Sequence, residues 1–221
     1  MAEKRRGEAL YRAGIVRAAV TVADTQGIDR LSMRRLGEAL DVEAMSLYHH
    51  IPGKPALLDA MVDWVFEQIA VPTAEEWAEG LRERANSQRA ALRRHPWALR
   101  LLESRSTPGL ANLRHHDAVL GYLRAAGFSL RAAGHAYALL DAFVYGFALQ
   151  EEALPFDAAS APDVAGAMLN STSGTHFPNL VAFMRDIVLP GGYDFADEFE
   201  VGLTLVLDGV SRLRSGPGGP Q

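Results

Sequence analysis

Cysteine is absent from this 221-residue chain, which excludes a disulfide framework, a thiolate nucleophile and any cysteine-ligated metal. Long hydrophobic runs are missing as well, none approaching the length of about 18 apolar residues that spans a bilayer. The basic start, Met1 to Arg6, leads into a mixed Gly7–Arg12 stretch rather than a signal-peptide core, so a cytoplasmic location is expected. Alternation of apolar and polar residues is sustained nowhere, and β-branched residues are sparse beside Ala, Leu, Arg and Glu. Strands are therefore not expected. No internal repeat, HExxH pair or glycine-rich phosphate loop is present. What the chain does have is 48% hydrophobic residues, enough for a substantial core.

A net charge of −5 argues against a nucleic-acid partner until it is divided along the chain. Residues 1–54 carry nine Lys/Arg against seven Asp/Glu, a net +2, and the remainder carries 13 against 20, a net −7. Positive charge is concentrated at the end where a DNA-facing surface would need it.

Helical periodicity runs throughout. A first helix is predicted from Glu8 to Thr25, with Ile15, Ala18, Ala19 and Val22 on one face and Gly27 as a left-handed terminator. Ser32 has the character of an N-cap for a short helix ending at Leu40. Asp41-Val42 makes a turn, and Glu43 to His50 forms a second short helix, broken at Pro52-Gly53. Lys54-Pro55 opens a longer helix to Ala70, stopped at Pro72. Thr73 and Glu76 have capping-box spacing for a helix from Glu75 to His95. A shorter helix starts at Pro96-Trp97, and another ends near Gly127 after the Thr107-Pro-Gly109 break. Ser129 caps Leu130–Glu152. Leu154–Thr175, rich in Pro, Ala, Ser and Gly, is expected to be a mobile loop with at most a short helix. Phe177–Leu189 and Asp194–Arg214 follow, and residues 215–221 form a disordered tail.

Two short helices joined by a tight turn make a helix-turn-helix. Leu31, Leu36, Leu40, Val42 and Leu47 supply its small core. Ser32, Arg34, Glu43, Ala44, Met45, Ser46, His49 and Lys54 remain outward. An α-helix fits the major groove of B-DNA, where thin or polar side chains reach base edges. Helix N-termini, lysines and hydroxyls suit phosphates. The run Gly27-Ile-Asp-Arg-Leu-Ser-Met-Arg-Arg-Leu, continuing through Leu47-Tyr-His-His50 to Lys54-Pro-Ala-Leu-Leu-Asp59, resembles the TetR family of repressors. The resemblance implies an all-α fold: a three-helix DNA-binding domain at 1–55, then a larger ligand-binding and dimerisation domain at 56–214. It implies that Arg34 reads a base, that Ser32 holds a phosphate, and that Ala44, Met45 and Ser46 meet bases. Tyr48, His50 and Lys54 match phosphate-clamping positions, and His49 stands where the tetracycline-repressor branch has an aromatic residue. Lys4-Arg5-Arg6 reads equally as an arm reaching DNA or as a solvated terminus.

Glu76-Trp77, His95-Pro-Trp97, Ala126-Gly-Phe128 and Phe143 to Glu151 extend the resemblance to the tetracycline-repressor branch, which implies a homodimer with an inducer pocket in each subunit. The residues expected to line that pocket are Trp64, Arg84, Gln88, Leu92, Trp97, Leu101, Tyr122, Leu139 and Phe143. Arg84 needs an anionic or polar partner if buried, and Glu83 and Asp141 are alternatives to a ligand. The positions that chelate and grip the tetracycline–magnesium complex fall at Leu102, Ala70, Arg84 and Gln88. That inducer is therefore not expected, and no metal or cofactor is implied. Leu130–Glu152 and Asp194–Arg214 are expected to form a four-helix dimer contact through Tyr137, Leu140, Val144, Tyr145, Ala148, Val201, Leu205, Val206 and Val210. The expected function is a transcriptional repressor released from a palindromic operator by a small-molecule inducer. An activator of the same architecture is one alternative. A helical enzyme using His115, His116 and Asp117 is a remote one, because adjacent helical residues diverge by about 100°.

Overall fold

The computed structural model describes residues 2–104, 109–171, 176–191 and 193–215, and no strand occurs among them. Eleven α-helices occur among these residues. The first, α1 (Ala2–Gln26), begins about a turn and a half before the expected Glu8 and buries Ile15, Val16, Ala19, Val20, Val22 and Ala23. It ends where Gly27 adopts a φ of 87° and a ψ of 149°, a glycine-only region rather than the left-handed helical one. One 3₁₀ turn (Ile28–Arg30) leads into α2 (Met33–Leu40). The Ser32 hydroxyl accepts from the Arg35 N–H at 3.2 Å, the capping bond its residue type suggests. Asp41 turns the chain in the left-handed conformation, and α3 (Ala44–Tyr48) follows. The crossing is tight at Gly37, where an added Cβ would lie 2.8 Å from the Val42 carbonyl oxygen. Beneath it Leu31, Leu36 and Leu47 are buried, with Leu40 and Val42 packed at the edge.

The next helix, α4 (Lys54–Phe66), has Pro55 in its first turn and stops before the expected Ala70. Beyond Glu67 the chain tightens: Gln68 and Ile69 donate to Val65 and Phe66, three residues back rather than four. α4 packs on α1 on one side and on α6 and α7 on the other. One continuous apolar core consequently runs from Ile15 to Val210. α5 (Trp77–Arg94) starts two residues after the expected Glu75, with Glu76 at its N-cap and no side-chain capping bond. The Tyr122 hydroxyl lies 2.9 Å from the Ala74 carbonyl oxygen and 3.1 Å from that of Glu76, holding the approach segment extended.

α6 (Trp97–Ser104) and α7 (Leu110–Ala125) precede the long α8 (Leu130–Ala153), capped by Ser129. Contrary to the expectation from run lengths, α8 has the length and composition of a membrane-crossing helix. Its Ala133, Ala136, Leu140 and Val144 are buried against neighbouring helices, as in a core helix. The segment expected to be a mobile loop with at most a short helix contains the 11-residue α9 (Ala161–Ser171). A reciprocal turn starts it: Ser160 N–H donates to the Asp157 carboxylate at 2.9 Å, and Asp157 N–H to the Ser160 hydroxyl at 3.0 Å. α10 (Pro178–Phe183) continues into a π-turn (Met184–Val188). α9 and this turn share a small separate cluster of Ala161, Ala165, Met184 and Val188. The last helix, α11 (Glu198–Ser215), lies along α8. Ser215, the first residue of the tail expected at 215–221, still belongs to α11, and 216–221 lie outside the described residues.

Candidate DNA-reading head and core site

Most of the outward residues expected on α2 and α3 are at the surface. Arg34 is 87% exposed in its side chain and pairs with Glu38, one turn on, at 3.0 Å. Met45 is 71% exposed, and Tyr48, His49 and Lys54 are exposed as well. Ala44 and Ser46 are half-buried. The half-buried His50 ring packs on Tyr11 of α1 at 4.5 Å between centroids. The Ser32 oxygen is engaged as a cap, which leaves its hydroxyl hydrogen free to donate.

The nine residues expected to line one pocket fall in several places. Arg84 and Gln88 of α5 are fully buried and converge on one oxygen, Asp141 Oδ1 of α8, at 2.7 and 3.3 Å. Arg84 Nε also donates to His115 Nε2 of α7 at 3.0 Å. The guanidinium lies 4.9 Å from the centre of the Tyr137 ring, which stacks on His116 at 3.8 Å. Burial, followed by the Arg84 charge, holds His115 down to about 4, so it is neutral near pH 7. Burial, followed by the Asp141 charge, raises Tyr137 and Tyr145 above the usual phenol value.

Trp97 and Trp64 lie elsewhere. Trp97 Nε1 donates to Asp24 Oδ1 of α1 at 2.6 Å, and His95 Nδ1 meets the same carboxylate at 2.9 and 3.0 Å. Trp64 packs edge-on to His95 and lines a groove of about 290 Å³ between α1 and α4. Leu92 lines a groove of about 210 Å³ with Pro96, Leu99 and Ala148. Tyr122 braces the approach to α5, Leu101 and Phe143 pack half-buried on the core, and Leu139 is 51% exposed on α8. Of the expected dimer face, Tyr137, Leu140, Val144, Ala148 and Val210 are buried inside the protomer, and Tyr145 and Val206 are half-buried. Val201 and Leu205, at 58% and 68% exposed, point outward together with Leu139 and Leu149.

His115, His116 and Asp117 do not converge. The first faces Arg84, the second faces Tyr137, and Asp117 is exposed. Among the described residues no group of three His, Asp or Glu side chains is placed to hold a metal.

Comparison with known proteins matches both parts of the chain. Residues 15–61 match the family described as "Bacterial regulatory proteins, tetR family", and residues 71–214 match "Tetracyclin repressor-like, C-terminal domain". The chain belongs to the TetR family. Among its relatives is the HTH-type transcriptional repressor DrrR1 of Streptomyces coeruleorubidus, 32% identical over 214 residues, covering 90% of this chain and 76% of the relative. The class C tetracycline repressor of Escherichia coli is 31% identical, covering 93% and 92% respectively. The Streptomyces coelicolor TetR family protein ActR, solved in complex with actinorhodin, superposes with a TM-score of 0.75 at 30% identity, covering 93% of this chain and 98% of ActR. This TetR-family chain is accordingly a DNA-binding regulator. Of the two acids foreseen for Arg84, Asp141 is the one it meets. Sequence reading missed Asp24 and the convergence of His115 and Gln88 on the Arg84–Asp141 pair, whose partners lie 31 to 73 residues apart.

Proposed function

We propose that this chain is a cytoplasmic repressor that binds a palindromic operator as a homodimer and releases it when a small molecule occupies its core. The observation that carries this reading is the position of α4, packed on α1 of the head and on α6 and α7 of the core. Any rearrangement that a ligand causes among α5, α7 and α8 reaches α4 and, through it, the reading helices. Asp24, bonded to Trp97 and His95, supplies a second connection.

In this reading the DNA-binding unit is 1–55 and the ligand-binding and dimerisation unit 56–214. Arg34, Ala44, Met45 and Ser46 face base edges, and Ser32, Tyr48, His49, His50 and Lys54 face phosphates. ActR is solved in complex with actinorhodin, which supports a small-molecule ligand for this chain too. Two copies meet through the outward apolar residues of α8 and α11, Leu139, Leu149, Val201 and Leu205. A single head makes too few contacts for tight operator binding, so the dimer is also the DNA-binding unit.

The test is a gel shift with ligand-stripped protein on the DNA flanking its coding region, repeated across a salt series. A discrete complex whose affinity falls steeply with salt is expected. Binding no tighter than to random DNA, together with no sequence recovered from a random-sequence selection, would overturn the reading.

A further inference from the structure

Among the described residues, Arg84 and Gln88 each end in an atom without a hydrogen-bond partner. Arg84 uses Nε on His115 and Nη2 on Asp141, and its Nη1 has no partner among the described residues. Gln88 gives its Nε2 to Asp141, and its Oε1 has none. Both side chains are fully buried. A buried polar group without a partner is costly, and such groups usually mark a missing water, ion or ligand. The Gln88 amide cannot be turned round to remove the problem, because its oxygen would then face the Asp141 carboxylate. The two side chains stand one helical turn apart and meet at the same oxygen, so one small molecule can address both free atoms.

The surroundings set the charge of what fits. Arg84 is already compensated by Asp141 at 2.7 Å, and His115 is neutral near pH 7. An anion brought to Nη1 would gain one cation and confront the Asp141 carboxylate beside it. A neutral ligand meets no such opposition. Tyr137, stacked on His116, adds an aromatic wall next to the guanidinium. His115 also lines a groove of about 340 Å³ between α7 and the end of α4 with the turn after it (Phe66, Glu67, Ile69). Its imidazole separates that groove from the buried Arg84, so a ligand enters by displacing His115.

Resting on the regulator reading above, we propose that the effector is an uncharged, flat compound carrying a hydrogen-bond acceptor and donor side by side on one edge. Its acceptor receives a hydrogen bond from the Arg84 Nη1 N–H, and its donor gives one to Gln88 Oε1. A lactam or a hydroxy-ketone has this pattern. Carboxylates and phosphates do not.

Three bicyclic compounds of similar size test the assignment by titration of the purified dimer without DNA. They are 2-quinolone, which has both groups, N-methyl-2-quinolone, which has lost the donor, and quinoline-2-carboxylate, which is anionic. The expected result is 2-quinolone binding at least tenfold more tightly than either of the others. In Gln88→Leu the preference for 2-quinolone over its N-methyl form disappears. In Asp141→Asn the uncompensated Arg84 turns the preference toward the carboxylate. Equal binding of the three, no binding of 2-quinolone, or wild-type preference for the carboxylate would overturn the proposal, and the wild-type comparison decides even if a variant does not fold. Operator binding is read separately by gel shift. A protein that binds its operator but ignores 2-quinolone refutes the ligand class alone, whereas one that binds no operator refutes the regulator reading.

Discussion

Replacing Trp97 by phenylalanine removes one N–H from the junction between head and core while keeping an aromatic ring in place. That N–H donates to the Asp24 carboxylate at 2.6 Å, a short bond to a charged acceptor. Hydrogen bonds to charged groups contribute about 1.5–3 kcal/mol. The Asp24 side chain is 26% exposed and keeps its contact with His95, so water and the imidazole recover part of the loss. The lower end, about 1.5 kcal/mol, is expected for the bond. The smaller ring in a buried site adds roughly 1 kcal/mol. A double-mutant cycle with Asp24→Asn separates the two contributions, because only the first depends on the carboxylate. Urea unfolding midpoints of the four proteins give the coupling energy, expected at about 1–2 kcal/mol. A coupling indistinguishable from zero, with both single variants destabilised, would mean that Trp97 is packing only and that Asp24 does not tie α1 to the core.

Other perturbations report on separate parts of the account. Arg34→Ala is expected to weaken operator binding by roughly 1–3 kcal/mol and relax preference at one base pair per half-site, as read in a mutated-operator gel shift; unchanged specificity would remove Arg34 from base reading. Lys54→Ala should weaken all DNA alike and lower the salt slope by about one per subunit, and an unaltered slope would refute a phosphate contact. Leu205→Glu puts a charge on the outward face of α11 and should shift sedimentation toward monomer; an intact dimer would move the interface elsewhere. His115 has its folded-state value lowered from 6.5 to about 4, so the unfolded chain takes up the proton first as pH falls. Stability present above pH 6.5 should decline toward pH 4, by on the order of 3 kcal/mol at most, and His115→Gln should flatten that part of the profile. A profile identical in the two proteins would contradict the buried neutral imidazole.

How much the sequence disclosed depended on whether a feature is local. The short helices around Gly37 were legible because cap, turn and apolar positions lie within a few residues of one another, and each residue type has one physical reason to be there. The core site was legible only in part. Arg84 signalled an unmet need and Asp141 was one of two acids named for it, but nothing local chose between neighbouring Glu83 and a carboxylate 57 residues away on another helix. Trp97 looked like a pocket aromatic because nothing nearby pointed to Asp24, 73 residues earlier. α8 is apolar around most of its circumference, so composition could not separate the side that packs on its own protomer, Leu140 and Val144, from the outward side carrying Leu139 and Leu149. Proline, alanine and serine between 154 and 175 suggested a loop with at most a short helix, and the Asp157–Ser160 pair starts the 11-residue α9 there.

The central claim is that an exposed reading head and a buried core site respond to each other through α4. Amide hydrogen exchange of the ligand-stripped dimer, with and without operator DNA, tests it most directly because no effector need be known. The account predicts altered protection in α4 and in the α5 and α7 segments around Arg84, Gln88 and His115, beyond any contact with DNA. Changes confined to residues 28–54, with the core exchanging at the same rates in both states, would contradict it.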